Sequence, residues 1–370
     1  MSIVASAAVI MARCALDSIR ALSRHAFFDI VAGRILMKKI AAIIPFFQRK
    51  SGFLTAAVQS IIDQRLSDDA RVHILIVNDE SPIDPLSEIS HLEFPDNVSF
   101  EIIAQENAGP AAARNNALDA VPVQTEFVAF LDSDDVWFED HLRTAVTALG
   151  DEGVFYFSDN YEDRPVTTFE KTKYFSRAAS AGDWEIVEPA LNIFQFKPRL
   201  AFKAFIREYI SQTSTVVYRF SKFKDLRFDS DLRYSGEDYF FWLSIANSGS
   251  PVTFSSNVNG DRDKGVSVYR DAYSWDSPKV LVRLLGNLLF WKRVGASFRL
   301  DDDDRRVLDE HINKTRMGIS YLIMRNGRRD RAKSVGAIFS FLKMDPLGIA
   351  QSPALIMKAI GLARKGLLEF

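Results

Sequence analysis

EFVAFLDSDD (residues 126–135) is the stretch that decides the fold. Its first half is a continuous apolar run of strand length, as a strand covered on both faces must be. Its second half sets three carboxylates, Asp132, Asp134 and Asp135, at the strand's carboxyl end. Like charges held that close repel, so the fold must compensate for them. A divalent cation of the Mg²⁺ or Mn²⁺ type does so through hard oxygen ligands. A helix N-cap, serving a helix expected over residues 138–149, uses the same residue types.

Upstream, the same kind of run recurs three times: IAAIIPF (residues 40–46), VHILIVN (residues 72–78) and SFEIIAQ (residues 99–105). Between them lie a segment with helical spacing, TAAVQSIIDQ (residues 55–64), and a helix opened by Gly109-Pro110 that runs to Val121. Strands alternating with helices predict an α/β domain whose sheet is mainly parallel, with helices on both faces. Downstream, residues 160–235 are aromatic-rich and carry no motif. STVVY (residues 214–218) reads as another strand, and YSGEDYFFWLSIAN (residues 234–247) as a turn into a helix. Val252 to Ser255 is expected to close the sheet, and beyond residue 272 the pattern turns helical. The expected division is an N-terminal extension over residues 1–36, ahead of a start-like Met37-Lys38-Lys39, a catalytic domain over residues 37–270 and a helical region over residues 271–370.

Composition narrows the function. With 46 basic and 48 acidic residues in 370 and a net charge of −2, a surface built mainly for nucleic-acid phosphates is excluded. The single cysteine, Cys14, rules out an internal disulfide and a cysteine-rich metal cluster. Five scattered histidines supply no metal-ligand spacing. No run of about 20 apolar residues offers a spanning helix. The first 20 residues lack a positive n-region, so a cytoplasmic location is the expectation.

In an open α/β sheet, ligands bind beyond the carboxyl ends of the strands. Four groups fall there: Pro45 to Arg49, Asn78 to Ser81, Gln105 to Gly109, and Asp132 to Asp135. Phe47 offers an aromatic face, and Asp79 an acceptor for a base or ribose or else an Asx-turn. Gly109 to Asn115 brings small residues and Arg114 to a helix start suited to an anion. Glu237-Asp238 follows Gly236, where a carboxylate serves either as a general base or as a helix cap.

Taken together, the order IIPFFQ, VNDES, ENAGPAAARN, FVAFLDSDD, SGEDYFFW resembles family 2 glycosyltransferases of the GT-A fold over about residues 38–260. The flavour is most similar to bacterial exopolysaccharide enzymes, including the succinoglycan type. The resemblance implies an inverting, metal-dependent transfer of a hexose from a nucleotide-sugar, UDP-linked by expectation, to a saccharide hydroxyl. The acceptor it implies is polyprenyl-linked, with Mn²⁺ or Mg²⁺ as cofactor. Pro45 and Phe47 would flank the uracil, and Asp79 would bond its ring nitrogen. Arg114, Asp132 and Asp134 would bind the nucleotide-sugar, with Asp134 and Asp135 as metal ligands. Asp238 would be the base, Glu237 would orient the acceptor, and Trp242 would pack behind the base or line the acceptor site. Three departures from the family pattern stand out: Asn78 and Glu80 in the Val-Asp-Asp-Gly-Ser motif, Phe47-Gln48 for Tyr-Asn, and Ala117 for Gly.

Two further segments invite a function. Arg262, Asp263 and Lys264, between Gly260 and Gly265, are expected to form a charged loop that closes over a diphosphate. Val280 to Arg293 and Leu355 to Leu368 are basic amphipathic segments, suited either to an anionic membrane surface or to capping the catalytic domain. Asp301 to Asp304 is expected to be a solvated helix start. The absence of glycine after the first strand disfavours a nucleotidylyltransferase and a dinucleotide-binding dehydrogenase. A glycosyltransferase-like protein without chemistry stays as the non-enzymatic alternative.

Overall fold

The computed structural model describes residues 37–175, 177, 182–262, 277, 279–326 and 331–365. The expected N-terminal extension and the boundary at residues 270/271 lie outside them. The first four long strands fall where the apolar runs predict: β1 (Lys38–Phe46), β2 (Ala70–Asp79), β3 (Val98–Gln105) and β4 (Phe127–Phe130). They pair in the order β3-β2-β1-β4, all parallel. Helix α1 (Phe53–Ile62), the short α2 (Pro85–Ile89) and α3 (Pro110–Ala120) make the connections.

Alternation along β1 divides the core. Ile40, Ala42, Ile44 and Phe46 face α1 (Leu54, Ala57, Val58, Ile61) and α4 (His141–Leu149). Ala41 and Ile43 face α3 (Ala113, Ala117) in a second cluster. Both faces of a central strand are thus buried, which is why its sequence from Ile40 to Phe46 shows no polar positions. The second cluster extends over α5 (Leu200–Arg207) and α6 (Glu237–Ala246), where Phe202, Phe205, Phe241 and Trp242 are at most 2% exposed.

Past β4 the sheet becomes mixed. Strand β10 (Val217–Arg219) lies antiparallel between β4 and β6 (Phe155–Asp163), and β11 (Val252–Arg262) runs parallel to β6. The strand expected to close the sheet is therefore interior. β9 (Ile193–Phe196) and the edge strand β8 (Trp184–Glu188) continue beyond it. The region without a sequence motif thus supplies sheet as well as helix. β5 (Asp135–Trp137) pairs with β11, and the two-residue β7 (Val166–Thr167) with β6.

Helices α7 (Val280–Ser297), α8 (Asp302–Asn326), α9 (Arg331–Met344) and α10 (Pro346–Arg364) form the C-terminal layer. It is not a detached module, because Phe290, Trp291 and Val294 of α7 and Leu308 of α8 join the second core cluster. Asp301 to Asp304 does start a helix, with Asp301 and Asp302 exposed as expected, but its last acid is not solvated. Asp304 is fully buried, and Lys203 of α5 bonds Asp301 at 2.7 Å and Asp304 at 3.2 Å, while Arg207 pairs with Asp303. The acids dock α8 on α5.

Candidate active site

The carboxyl ends of β1, β2 and β4 are knitted by short polar side chains. Gln48 N–H donates to Ser81 Oγ at 3.1 Å, Ser81 Oγ donates back to the Gln48 carbonyl, and Gln48 Nε2 donates to Ser133 Oγ at 3.0 Å. Pro45 and Phe47 sit half-buried at the end of β1, with the Arg49 guanidinium 5.9 Å from the Phe47 ring centroid. The loop after β2 keeps a left-handed backbone at Glu80 (φ 58°), where the family pattern has glycine. A non-glycine residue there costs about 1–2 kcal/mol, and Glu80 recovers a 3.3 Å hydrogen bond from Asn107 N–H.

Asp79 is engaged by the fold itself. It is 4% exposed, and its carboxylate accepts from Gln105 Nε2 at 2.7 Å, Ala108 N–H at 2.8 Å and Gly109 N–H at 2.9 Å. Gly109 has φ 89° and ψ 173°, a backbone open essentially to glycine alone. Asp79 therefore shapes the 105–109 loop that opens α3.

Asp132 to Asp135 do not cap a helix. The chain enters β5 at Asp135, and α4 begins only at His141. Asp132 is held by Arg114 Nη2 at 2.7 Å, and its N–H donates to Ser214 Oγ at 2.9 Å. Asp134 is half-buried. Asp135 is 4% exposed and accepts from Ser214 Oγ at 2.6 Å and Gln212 Nε2 at 2.9 Å. Burial first, then the charges of Asp132 and Asp134, push its carboxyl well above the usual range. Among the described residues no group of three or more His, Cys, Asp or Glu is arranged to hold a metal by itself. The donor set instead fits a cation that takes one or two carboxylates here and its remaining oxygens from a diphosphate and water.

On the other side, Gly236 (φ 84°) turns the chain into α6, and an added Cβ would lie 2.7 Å from the Phe290 ring. That contact ties the C-terminal layer to the Glu237-Asp238 turn. Asp238 accepts from Tyr209 OH at 2.5 Å and Thr213 Oγ1 at 2.9 Å. Glu237 is 6% exposed, with its Oε1 3.4 Å from Arg114 Nη1. Burial works against the Arg114 charge, and the carboxylates of Asp132 and Glu237 outweigh it, so its pKa is raised. Trp242, expected near a base or acceptor, is fully buried among Phe130, Phe155 and Phe241, and is core.

Burial and the neighbouring Asp238 push Glu237 up to about 8, against the pull of Arg114. The folded chain thus holds this proton more tightly than the unfolded one. The resulting stabilisation is complete below about pH 4.5 and is lost as pH climbs to about 8. Glu237→Gln is predicted to flatten stability across that window. Urea midpoints measured through it provide the check, and a slope unchanged from the parent would assign the titration elsewhere.

The sequence reading missed Tyr209, Gln212, Thr213 and Ser214, the residues that join both halves of the site. Their one visible signal is the polar run QTST directly before the apolar VVY. Of the expected closing loop, only Arg262 is described, with its guanidinium 3.9 Å from Glu162; Asp263, Lys264 and Gly265 lie outside the described residues. A cleft of about 850 Å³ bounded by α1, α4 and β11 contains none of these site residues.

Known proteins resemble this chain in sequence and in fold. The sequence model described as "Glycosyl transferase family 2" matches residues 41–227. The succinoglycan biosynthesis protein ExoW of Rhizobium meliloti is 29% identical over 260 residues, covering 66% of this chain and 75% of that protein. The Escherichia coli UDP-Glc:alpha-D-GlcNAc-diphosphoundecaprenol beta-1,3-glucosyltransferase WfaP is 26% identical, covering 58% of this chain and 72% of its own. Two longer curated relatives are spanned over 31% of their length. Among solved structures, TarS 1–349 of S. aureus in complex with UDP-GlcNAc superposes with a TM-score of 0.51 at 16% identity, covering 89% of this chain and 88% of that one. The fold is GT-A-like, a mixed sheet flanked by helices with further helices at the C-terminus.

Proposed function

The chain belongs to glycosyl transferase family 2, and from that premise we propose an inverting transfer of a hexose from a UDP-linked donor to a hydroxyl of a lipid-linked saccharide. The pathway we assign is bacterial surface or exopolysaccharide synthesis, in keeping with the printed roles of the relatives. One observation carries the reading. Thr213 bonds the Asp238 carboxylate while the next residue, Ser214, bonds the Asp132 N–H and the Asp135 carboxylate. A single turn therefore ties the acid cluster that we assign to the donor to the carboxylate that we assign to the acceptor, and this shared anchor is what supports the reading.

In this reading Asp134, with Asp132, holds Mn²⁺ or Mg²⁺, and Asp135 is the strut that fixes the turn. When bound, the metal supplies Lewis-acid charge for the departing diphosphate. Pro45 and Phe47 face the base, and Arg114 keeps Asp132 and Glu237 in register. Asp238 takes the proton from the incoming hydroxyl, and Glu237 orients the acceptor. The enzyme works in the cytoplasm, at the membrane face where a polyprenyl-linked acceptor is presented.

The test is calorimetric binding of UDP and a panel of UDP-sugars, with Mn²⁺ and then with excess chelator. UDP-sugar binding is expected to fall at least about tenfold on chelation, and likewise in Asp134→Ala. Binding that ignores both the chelator and the substitution would overturn the metal assignment. Failure to bind any UDP-sugar would overturn the donor.

A further inference from the structure

Helix α9 buries one face and leaves another bare. Ala337 and Phe341 pack with Leu284, Leu288 and Ile319 in a third apolar cluster. Val335, Ile338, Phe339 and Leu342, at the three- and four-residue spacing of one helix face, are 50, 38, 67 and 44% exposed. Scattered exposed apolar residues need no explanation, but a contiguous stripe does. On the following helix, Leu347 and Met357 of α10 are 59% and 71% exposed.

The charge around the stripe is one-sided. Residues 335–365 carry Lys343, Lys358, Arg364 and Lys365, all exposed, against a single acid, Asp345. That acid is spent, since its side chain is 2% exposed and held by Arg316 at 2.5 Å and Lys292 at 3.1 Å. An apolar stripe among cations, with no exposed carboxylate within residues 335–365, matches an anionic bilayer. Its alkyl and aromatic groups enter the headgroup boundary while its cations meet lipid phosphates. A second copy of this chain fits poorly, because a two-fold interface would set like cations against each other.

We infer that α9, with the exposed face of α10, docks on an anionic lipid surface. This rests on the reading of a lipid-linked acceptor, and it names a surface that this reading leaves open. Flotation of the full chain with vesicles rich in phosphatidylglycerol, against phosphatidylcholine alone, tests it. Binding is expected to be at least about tenfold stronger to the anionic vesicles and to weaken with salt. Ile338→Glu with Phe339→Glu is expected to remove it. Lys343→Glu with Lys358→Glu, which leaves the stripe intact, is expected to lower it about tenfold. UDP binding, unchanged in both, shows that the variants are folded.

Equal binding to both vesicle types, or binding indifferent to both variants, would overturn the proposal. So would a shift in oligomeric state by light scattering with vesicle binding unchanged, which would make the stripe an interface between copies. Transfer to a lipid-free acceptor without vesicle binding sinks only the docking face. Vesicle binding without any transfer sinks only the catalytic reading.

Discussion

Asp238→Asn is expected to lower the transfer rate by about 10²- to 10⁴-fold, the range that positioned general bases supply, while UDP-sugar affinity changes less than about threefold. The substitution keeps the shape of the side chain and removes its capacity to take a proton. Tyr209 OH and Thr213 Oγ1, which now donate to the carboxylate, can rotate to accept from an amide, so the turn at Gly236 is preserved. The acids assigned to the donor lie past the end of β4, not at this helix start, and Asp132 is held by Arg114 and Ser214, which is why binding and turnover should separate. Single-turnover rates beside calorimetric donor affinity measure both. A loss confined to donor affinity would place Asp238 outside the proton transfer.

The second large effect concerns stability. Arg114 is 4% exposed and joins Asp132 at 2.7 Å to Glu237 at 3.4 Å, with the Phe228 ring 5.4 Å from its guanidinium carbon. Breaking a buried pair by removing one partner costs about 3–5 kcal/mol. Arg114→Met is expected near the low end at mildly acidic pH, because Glu237, already raised to about 8, escapes an unpaired buried charge by protonation. Above that pH the glutamate must ionise without a partner, so the loss grows. Urea unfolding at about pH 6 and about pH 9 reads the difference, since each pKa unit is worth about 1.4 kcal/mol. A loss under about 1 kcal/mol at both would show that the arginine is not the tie described.

How much of this was legible beforehand follows from what each interaction leaves in the chain. Strands β1, β2 and β4 announce themselves because burial forces runs such as Ile40 to Phe46, whereas β3, at the sheet edge, is mostly exposed. The acids at 132–135 and 237–238 were visible as unusual charge at element ends. What the sequence withheld was partnership. Asp79 looks like a free acceptor until the fold delivers the N–H groups of Ala108 and Gly109, 29 and 30 residues on, to its carboxylate. Trp242 reads as a site residue by its neighbours, and only the packing of Phe130 and Phe155 shows it as core. The turn from Tyr209 to Ser214 reaches residues 25–82 positions away through lone hydroxyls and one amide. Such contacts have no period, so no pattern marks them.

The place of β10 also governs how the chain comes off the ribosome. Its Val217 and Tyr218 fill the gap between β4 and β6, pairing with Ala129 and Val128 on one side and with Tyr156 and Phe155 on the other. Until residue 219 has left the exit tunnel, the parallel half-sheet ends in a bare edge at Phe127–Phe130, a template for pairing with another chain. At roughly 5–20 residues per second, the stretch from β4 to β10 keeps that edge open for on the order of 5–20 s. Slow stretches of translation between these strands would therefore lower the soluble yield without altering a single side chain of the finished enzyme.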